Sequence, residues 1–231
     1  MSEAVGGQRP TAALLLAAGR GERMRPLTDR TPKPMLRVAG APLIEHHVRA
    51  LARAGIRRIA VNLCWLGEQI REHLGDGGRF GVAIRYSEEA PRALEAGGGI
   101  VRALPLLAPG PFAVISGDVF TDYPFERLAI GAGAGAHLVL VPNPVQHPQG
   151  DFALQSGRAL AEGGPRYTFS GIAVYRAELF AGLADGPRPL KPLLLQAMTA
   201  GRCAAELYRG LWEDVGTPQR LRALNDGPAV E

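Results

Sequence analysis

The chain opens its pattern with a short, unbroken apolar run over residues 12–18 that ends at a glycine. A run with no polar face predicts a strand buried on both sides of a parallel sheet. Leu43, Ile44, Val48, Leu51 and Ala52 then recur at helical spacing, the pattern stops at Gly55, and residues 58–63 turn aliphatic and β-branched. The spacing predicts a strand, a loop, a helix and a second strand. The alternation continues with a helix over 66–74, a strand over 82–86, a helix over 98–107 and a strand over 112–115 that runs into Ser116-Gly117-Asp118. Repeated alternation predicts an α/β fold, a single Rossmann-like domain with a mostly parallel sheet and helices on both faces. In such sheets ligands bind beyond the carboxyl ends of the strands, which would bring the glycines after the first strand and Asp118 to one edge.

Further along, residues 129–136 are rich in Gly and Ala, a strand is predicted over 137–142, and Pro142, Pro144 and Pro148 form a rigid connector. Strands near 152–155, 168–175 and 204–208 and helices near 190–200 and 218–225 are expected to continue the same sheet. Residues 1–11 are polar and lack the apolar stretch of a signal peptide, so they read as a flexible leader.

At 231 residues the chain can build one full-sized core. No apolar run approaches the roughly 18–20 residues needed to span a bilayer, which argues against a membrane. The net charge of +4 could suit nucleic acid, but the arginines are scattered and aromatics make up only 6% of residues, so a small phosphorylated substrate is expected instead. Cys64 and Cys203 both fall in segments read as strand and are expected to be reduced, buried thiols, as in a cytoplasmic protein. Among 26 basic residues only Lys33 and Lys191 are lysines. A lysine kept against that background suggests, for Lys33, a task that needs a compact, flexible ammonium.

Residues 15–35 read LLAAGRGERMRPLTDRTPKPM. Gly19 and Gly21 would let backbone N–H groups approach an anion, with Arg23 and Lys33 adding fixed positive charge. Met24 stands where a dinucleotide-binding loop needs its third glycine, and no Gly-Lys-Ser/Thr follows, so neither a Rossmann fingerprint nor a Walker loop is present. The five histidines show no zincin spacing, and no zinc site is expected. His46 and His47 fall on a predicted helix; Trp65 and Trp212 read as packing residues. Asp118 and Asp214 are either turn caps or ligands for a hard cation.

The pattern L-A-A-G-x-G-x-R-M-x-P-L-T, with P-K-P downstream, resembles the signature of the sugar-1-phosphate nucleotidylyltransferases. Residues 94–100 (LEAGGGI), 116–119 (SGDV), 168–172 (TFSGI) and 212–217 (WEDVGT) match further blocks in the same order, so the resemblance spans about residues 12–226. Asn62 followed by Trp65-Leu66-Gly67, the HPQGDF of residues 147–152 and a chain end soon after WEDVGT resemble the N-acetylmuramate-1-phosphate uridylyltransferases within that family. Ala96 departs from the pattern, which has Thr before the glycine triplet.

The resemblance implies a fold of the nucleotide-diphospho-sugar transferase type, with residues 12–125 as the nucleotide-binding half and 126–231 as the sugar-binding half. It implies in-line attack of a sugar-1-phosphate on the α-phosphorus of UTP. Arg23 would hold the β- and γ-phosphates and Lys33 would bridge the α-phosphate and the sugar phosphate. Ala17, Ala18, Gly19, Gly21, Gly97 and Gly98 would line the nucleotide, while Asn62, Asp151, Glu162, Ser170 and Gly171 would line the sugar. Asp118 and Asp214 would hold Mg²⁺. The partners implied are UTP and N-acetylmuramate-1-phosphate, with the protein a monomer or weak dimer. The rivals are mannose-1-phosphate with GTP, glucose-1-phosphate with a pyrimidine triphosphate, and a non-catalytic nucleotide-sugar sensor.

Overall fold

In the computed structural model the described residues are 7–107 and 109–226. Strand β1 (Ala12–Leu16) has its side chains divided by the pleat, Ala13 and Leu15 into one core and Ala12 and Leu14 into the other. That two-sided burial is why the run carries no polar position. A two-rung ribbon, β2 (Arg37–Val38) with β3 (Ala41–Pro42), leads into α1 (Leu43–Arg53). Next come β4 (Arg58–Leu63), α2 (Gly67–Leu74), β5 (Ala83–Glu88), α3 (Glu95–Leu107) and β6 (Phe112–Ser116). The apolar stripes of α1 and α2, with Ile44, Val48, Leu51, Ile70 and Leu74, cover one face of the sheet. On the opposite face lie Ile100, Ala103 and Leu107 of α3.

The second half consists of β7 (Val119–Thr121), β8 (Ala136–Val141), β9 (Phe152–Gln155), β10 (Arg158–Leu160) and β11 (Arg166–Tyr175), then α4 (Lys191–Thr199), β12 (Cys203–Leu207), β13 (Trp212–Asp214) and α5 (Pro218–Asp226). Nine strands form one sheet in the order β5-β4-β1-β6-β11-β8-β12-β10-β9. The expected continuous sheet is present, but it is mixed, not mostly parallel. β5, β4, β1 and β6 run parallel, as do β8 and β12, whereas β11 is antiparallel to β6, β8 and β9, and β10 to β9 and β12. Connection length accounts for one of these reversals. A parallel neighbour needs a long crossover, whereas β9 and β10 are joined by Ser156-Gly157, both at positive φ, a hairpin turn that forces reversal.

Three expectations shift in detail. Helix α3 starts at Glu95, three residues earlier than its glycine triplet suggests, because the triplet lies inside the helix at a close approach to residues 186–189. Of the predicted leader, residues 7–11 are anchored. Gln8 and Ile130 exchange backbone hydrogen bonds of 2.9 Å, and Arg9 Nη2 donates to the Ala54 carbonyl at 2.8 Å. Residues 1–6 lie outside the described residues. Cys64 sits half-buried in the turn after β4 instead of in a strand, whereas Cys203 is buried in β12, where burial pushes its thiol up to about 12.

Candidate active site

The carboxyl ends of β1, β4 and β6 point toward the glycine-rich loop, and a buried hydrogen-bond chain ties them together. The Ala17 N–H donates to Asn62 Oδ1 at 2.5 Å, Asn62 Nδ2 donates to Glu89 Oε1 at 2.5 Å, and Glu89 Oε2 accepts from the Leu94 N–H at 2.7 Å. Burial raises the Glu89 carboxyl above its ordinary value, against the opposing pull of these donors. The chain fixes the first residue of the loop against the start of α3. Between the two lies a cavity of about 350 Å³, bordered by Ala17, Ala18, Gly19, Gly21 and Arg23 on one side and by Asn62, Glu89 and Ala96 on the other.

The loop turns at Gly21, whose φ of 67° is open to glycine at little cost. Its carbonyl accepts from Thr28 Oγ1 at 2.9 Å, and the next turn buries Met24 in a cluster with Leu36, Val38, Leu43, Phe120 and Val215. Burying Met24, where a dinucleotide-binding loop would have glycine, anchors the segment and leaves Arg23 exposed at the cavity rim. Trp65 supports the same loop from outside, donating through Nε1 to the Thr28 carbonyl at 2.9 Å, with the Arg20 guanidinium 4.0 Å above its ring.

Lys33 is only 8% exposed. Its Nζ donates to Asp118 Oδ2 at 2.5 Å and lies 3.7 Å from Asp214 Oδ1. The two carboxylates reach it from distant parts of the chain because β13 pairs with β7, Asp214 opposite Val119, and the Val215 N–H donates to the Asp118 carbonyl at 2.9 Å. Asp214 Oδ2 also accepts from Arg220 Nη1 at 3.0 Å, so α5 braces this carboxylate. Beneath Asp118 lies His47, fully buried. Desolvation pushes its pKa down to about 4 despite a backbone hydrogen bond with Val119, so the ring is neutral.

A second cavity, about 420 Å³, lies on the other side of Asp118 and shares Arg23, Ser116 and Asp118 with the first. Its far wall carries Asp151, Ser170, Gly171, Trp212 and Asp214. Asp151 Oδ2 accepts from the Phe169 N–H at 2.9 Å, Ser170 Oγ donates to the Val139 carbonyl at 2.6 Å, and Trp212 Nε1 donates to the Ser170 carbonyl at 2.9 Å. The register of β11 slips between Phe169 and Ile172, and Gly171 adopts φ 78° there. A Cβ on Gly171 would stand 2.5 Å from Ser116 Oγ, so a side chain here would push against the residue that borders both cavities.

The structure thus brings together Ala17, Ala18, Gly19, Gly21, Arg23, Lys33 and Asp118 around the first cavity and Asp118, Asp151, Ser170, Gly171 and Asp214 around the second. Three sequence-based placements differ. Asn62 borders the first cavity, not the sugar-side one. Gly97 and Gly98 border neither: a Cβ on Gly97 would lie 2.8 Å from the Arg188 carbonyl oxygen, and one on Gly98 would collide with the Gly186 carbonyl, so here small size serves packing. Glu162 is exposed in the turn after β10 and borders neither cavity. Glu89, His147 and Arg220 were missed. For Glu89 the available signal was its position directly after a strand end, at the edge where ligands gather.

Residues 12–151 match the family model described as nucleotidyl transferase. An N-acetylmuramate alpha-1-phosphate uridylyltransferase of Neisseria meningitidis serogroup B is 49% identical over 219 residues, covering 91% of this chain and 95% of its own length. Its namesake in Caulobacter vibrioides is 34% identical over 235 residues, covering 92% and 94%. A solved structure, a putative glucose-1-phosphate thymidylyltransferase of Bacillus anthracis, superposes with a TM-score of 0.81 at 22% identity over 93% of this chain and 94% of that one, which establishes the fold. The chain belongs to the nucleotidyl transferase family, as a sugar-1-phosphate nucleotidyltransferase. Within that family it is similar over nearly its whole length to the N-acetylmuramate α-1-phosphate uridylyltransferases.

Proposed function

We propose that the protein transfers the uridylyl group of UTP to N-acetylmuramate α-1-phosphate, releasing pyrophosphate and forming UDP-N-acetylmuramate, in the cytoplasm. No helix among the described residues is long and apolar enough to cross a membrane. The observation that carries the reading is the placement of Lys33 beside Asp118 and Asp214, where the two cavities adjoin. In this reading residues 12–125 form the nucleotide half and residues 126–231 the sugar half.

A sugar-phosphate oxygen attacks the α-phosphorus from the second cavity. One P–O bond forms, the bond to the β-phosphate bridging oxygen breaks, and its electrons leave with pyrophosphate, so no enzyme nucleophile is needed. Arg23, free at the rim, binds the β- and γ-phosphates. The Lys33 ammonium stabilises charge on the α-phosphoryl oxygens and positions the sugar phosphate. The Asn62–Glu89 chain holds the loop whose backbone N–H groups face the triphosphate.

Asp118 and Asp214 suit Mg²⁺, which is bound by one or two carboxylates completed by substrate phosphate oxygens and water. When bound it supplies neutralisation of phosphate charge. The test is pyrophosphate release from four nucleoside triphosphates against muramate, glucosamine, glucose and mannose 1-phosphates, with and without Mg²⁺. Release with UTP and N-acetylmuramate α-1-phosphate alone is expected; release with another pair reassigns the substrates, and silence throughout contradicts the reading.

A further inference from the structure

A third recess, about 250 Å³, opens between the start of α4 and the strands β9 and β11. It shares Asp151 and Phe169 with the sugar-side cavity and Ala96 with the nucleotide-side one, so a substituent on a sugar bound between them can reach it. Phe152, Leu190 and Leu194 make its wall apolar, and its single cation is Lys191.

Lys191 is placed against its local electrostatics. It is the first residue of α4, where a positive charge opposes the helix dipole, and the first turn carries no acidic residue to offset it. Its ammonium lies 5.9 Å from the centre of the Phe152 ring, and among the described residues it has no ion-pair partner. The chain otherwise uses arginine almost throughout, and its two lysines both border these adjoining cavities. The one carboxylate on the recess wall, Asp151, is already engaged: Oδ2 accepts from the Phe169 N–H and Oδ1 lies 3.3 Å from His147 Nε2. An anion entering the recess therefore meets the Lys191 ammonium, while the Asp151 carboxylate accepts from the Phe169 N–H and lies beside the His147 ring.

We propose that this recess recognises the lactyl ether that distinguishes N-acetylmuramate from N-acetylglucosamine, with Lys191 as a specificity residue. The lactyl methyl packs against Phe152 and Leu194, and the lactyl carboxylate accepts hydrogen bonds from the Lys191 ammonium. An apolar pocket with one cation at its rim complements a short acid with a methyl branch better than it does a hydroxyl. The assignment rests on the muramate reading given above.

The test compares N-acetylmuramate α-1-phosphate with its lactyl methyl ester, which keeps the shape and loses the charge, in the wild type, Lys191→Met and Lys191→Arg. Losing one charge-assisted contact predicts that Lys191→Met raises KM for the acid by roughly 10- to 100-fold, with a much smaller change in kcat. The wild-type preference for acid over ester should vanish in Lys191→Met and largely persist in Lys191→Arg. If Lys191→Met keeps the wild-type preference, or loses acid and ester equally, the subsite assignment is wrong while the muramate reading stands. A wild type inactive on both muramate compounds overturns both.

Discussion

The two halves of the sheet reach the same active edge by different means. Around β1 the parallel strands β5, β4, β1 and β6 deliver their carboxyl ends side by side, and the site there is made of loops: backbone N–H groups, glycines and one exposed arginine. In the other half β11 runs the opposite way, and the site is made on the strand itself, at the slipped register of residues 169–172. Loops suit a flexible, highly charged triphosphate. A strand with a fixed bulge suits a rigid ring that must be held at one angle. The halves meet at Ser116 and Gly171, and Lys33 with its two carboxylates sits at that seam.

The largest effect is expected at the seam. Lys33→Ala should lower kcat by roughly 10²- to 10⁴-fold while the dissociation constant of the triphosphate changes far less, as befits a group that acts on developing charge. Steady-state rates with equilibrium binding on the same variant separate the two; intact turnover would remove Lys33 from the chemistry.

Glycines then distinguish the halves. Gly171→Ala places a methyl at positive φ against Ser116 and should cost about 3–4 kcal/mol in urea unfolding. In the loop half Gly19 has open space around its would-be Cβ, so Gly19→Ala should cost under about 1 kcal/mol of stability while weakening triphosphate binding. Equal losses at the two positions would contradict the loop-versus-strand distinction.

His47 gives a pH-dependent contribution from beneath the seam. Its folded pKa of about 4 lies below the ordinary histidine value of about 6.5, so between those values the unfolded chain binds a proton that the folded chain does not. The stability held by the neutral ring is complete above pH 6.5 and is lost as the pH falls toward 4, by roughly 2–3 kcal/mol. Denaturant titrations at pH 7 and pH 4.5 should show a smaller pH effect in His47→Gln than in the wild type. A smaller effect still is expected for Asp214→Asn, which should raise the Mg²⁺ concentration for half-maximal rate by about tenfold. An unchanged metal requirement would move the ion away from this carboxylate.

Much of the first half was legible in the sequence because its local signals agree: an apolar run, then glycines, then a helical stripe ending at Gly55, each within a few residues of the next. Lys33, Asp118 and Asp214, which the structure brings together, stood out in the sequence through their motifs. The strands of the second half were also visible, but their directions were not, since side-chain periodicity is the same for parallel and antiparallel neighbours and only the Ser156-Gly157 turn decides the matter locally. Contacts that span the chain were hidden as well. Glu89 acquires its role by closing on Asn62, and Arg220 by bracing a carboxylate on β13, and neither partner is marked by spacing. At Gly97 and Gly98 the sequence could not separate packing from ligand contact, because a glycine needed for close approach to residues 186–189 looks, in sequence, like one that borders a ligand.

The most direct test of the account is a crystal structure with UDP-N-acetylmuramate and Mg²⁺. Uridine is expected beside Asn62 and Glu89, the diphosphate astride Lys33 between Asp118 and Asp214, and the sugar against Asp151 and Gly171. A product bound the other way round, or one whose diphosphate lies away from Lys33, would contradict it.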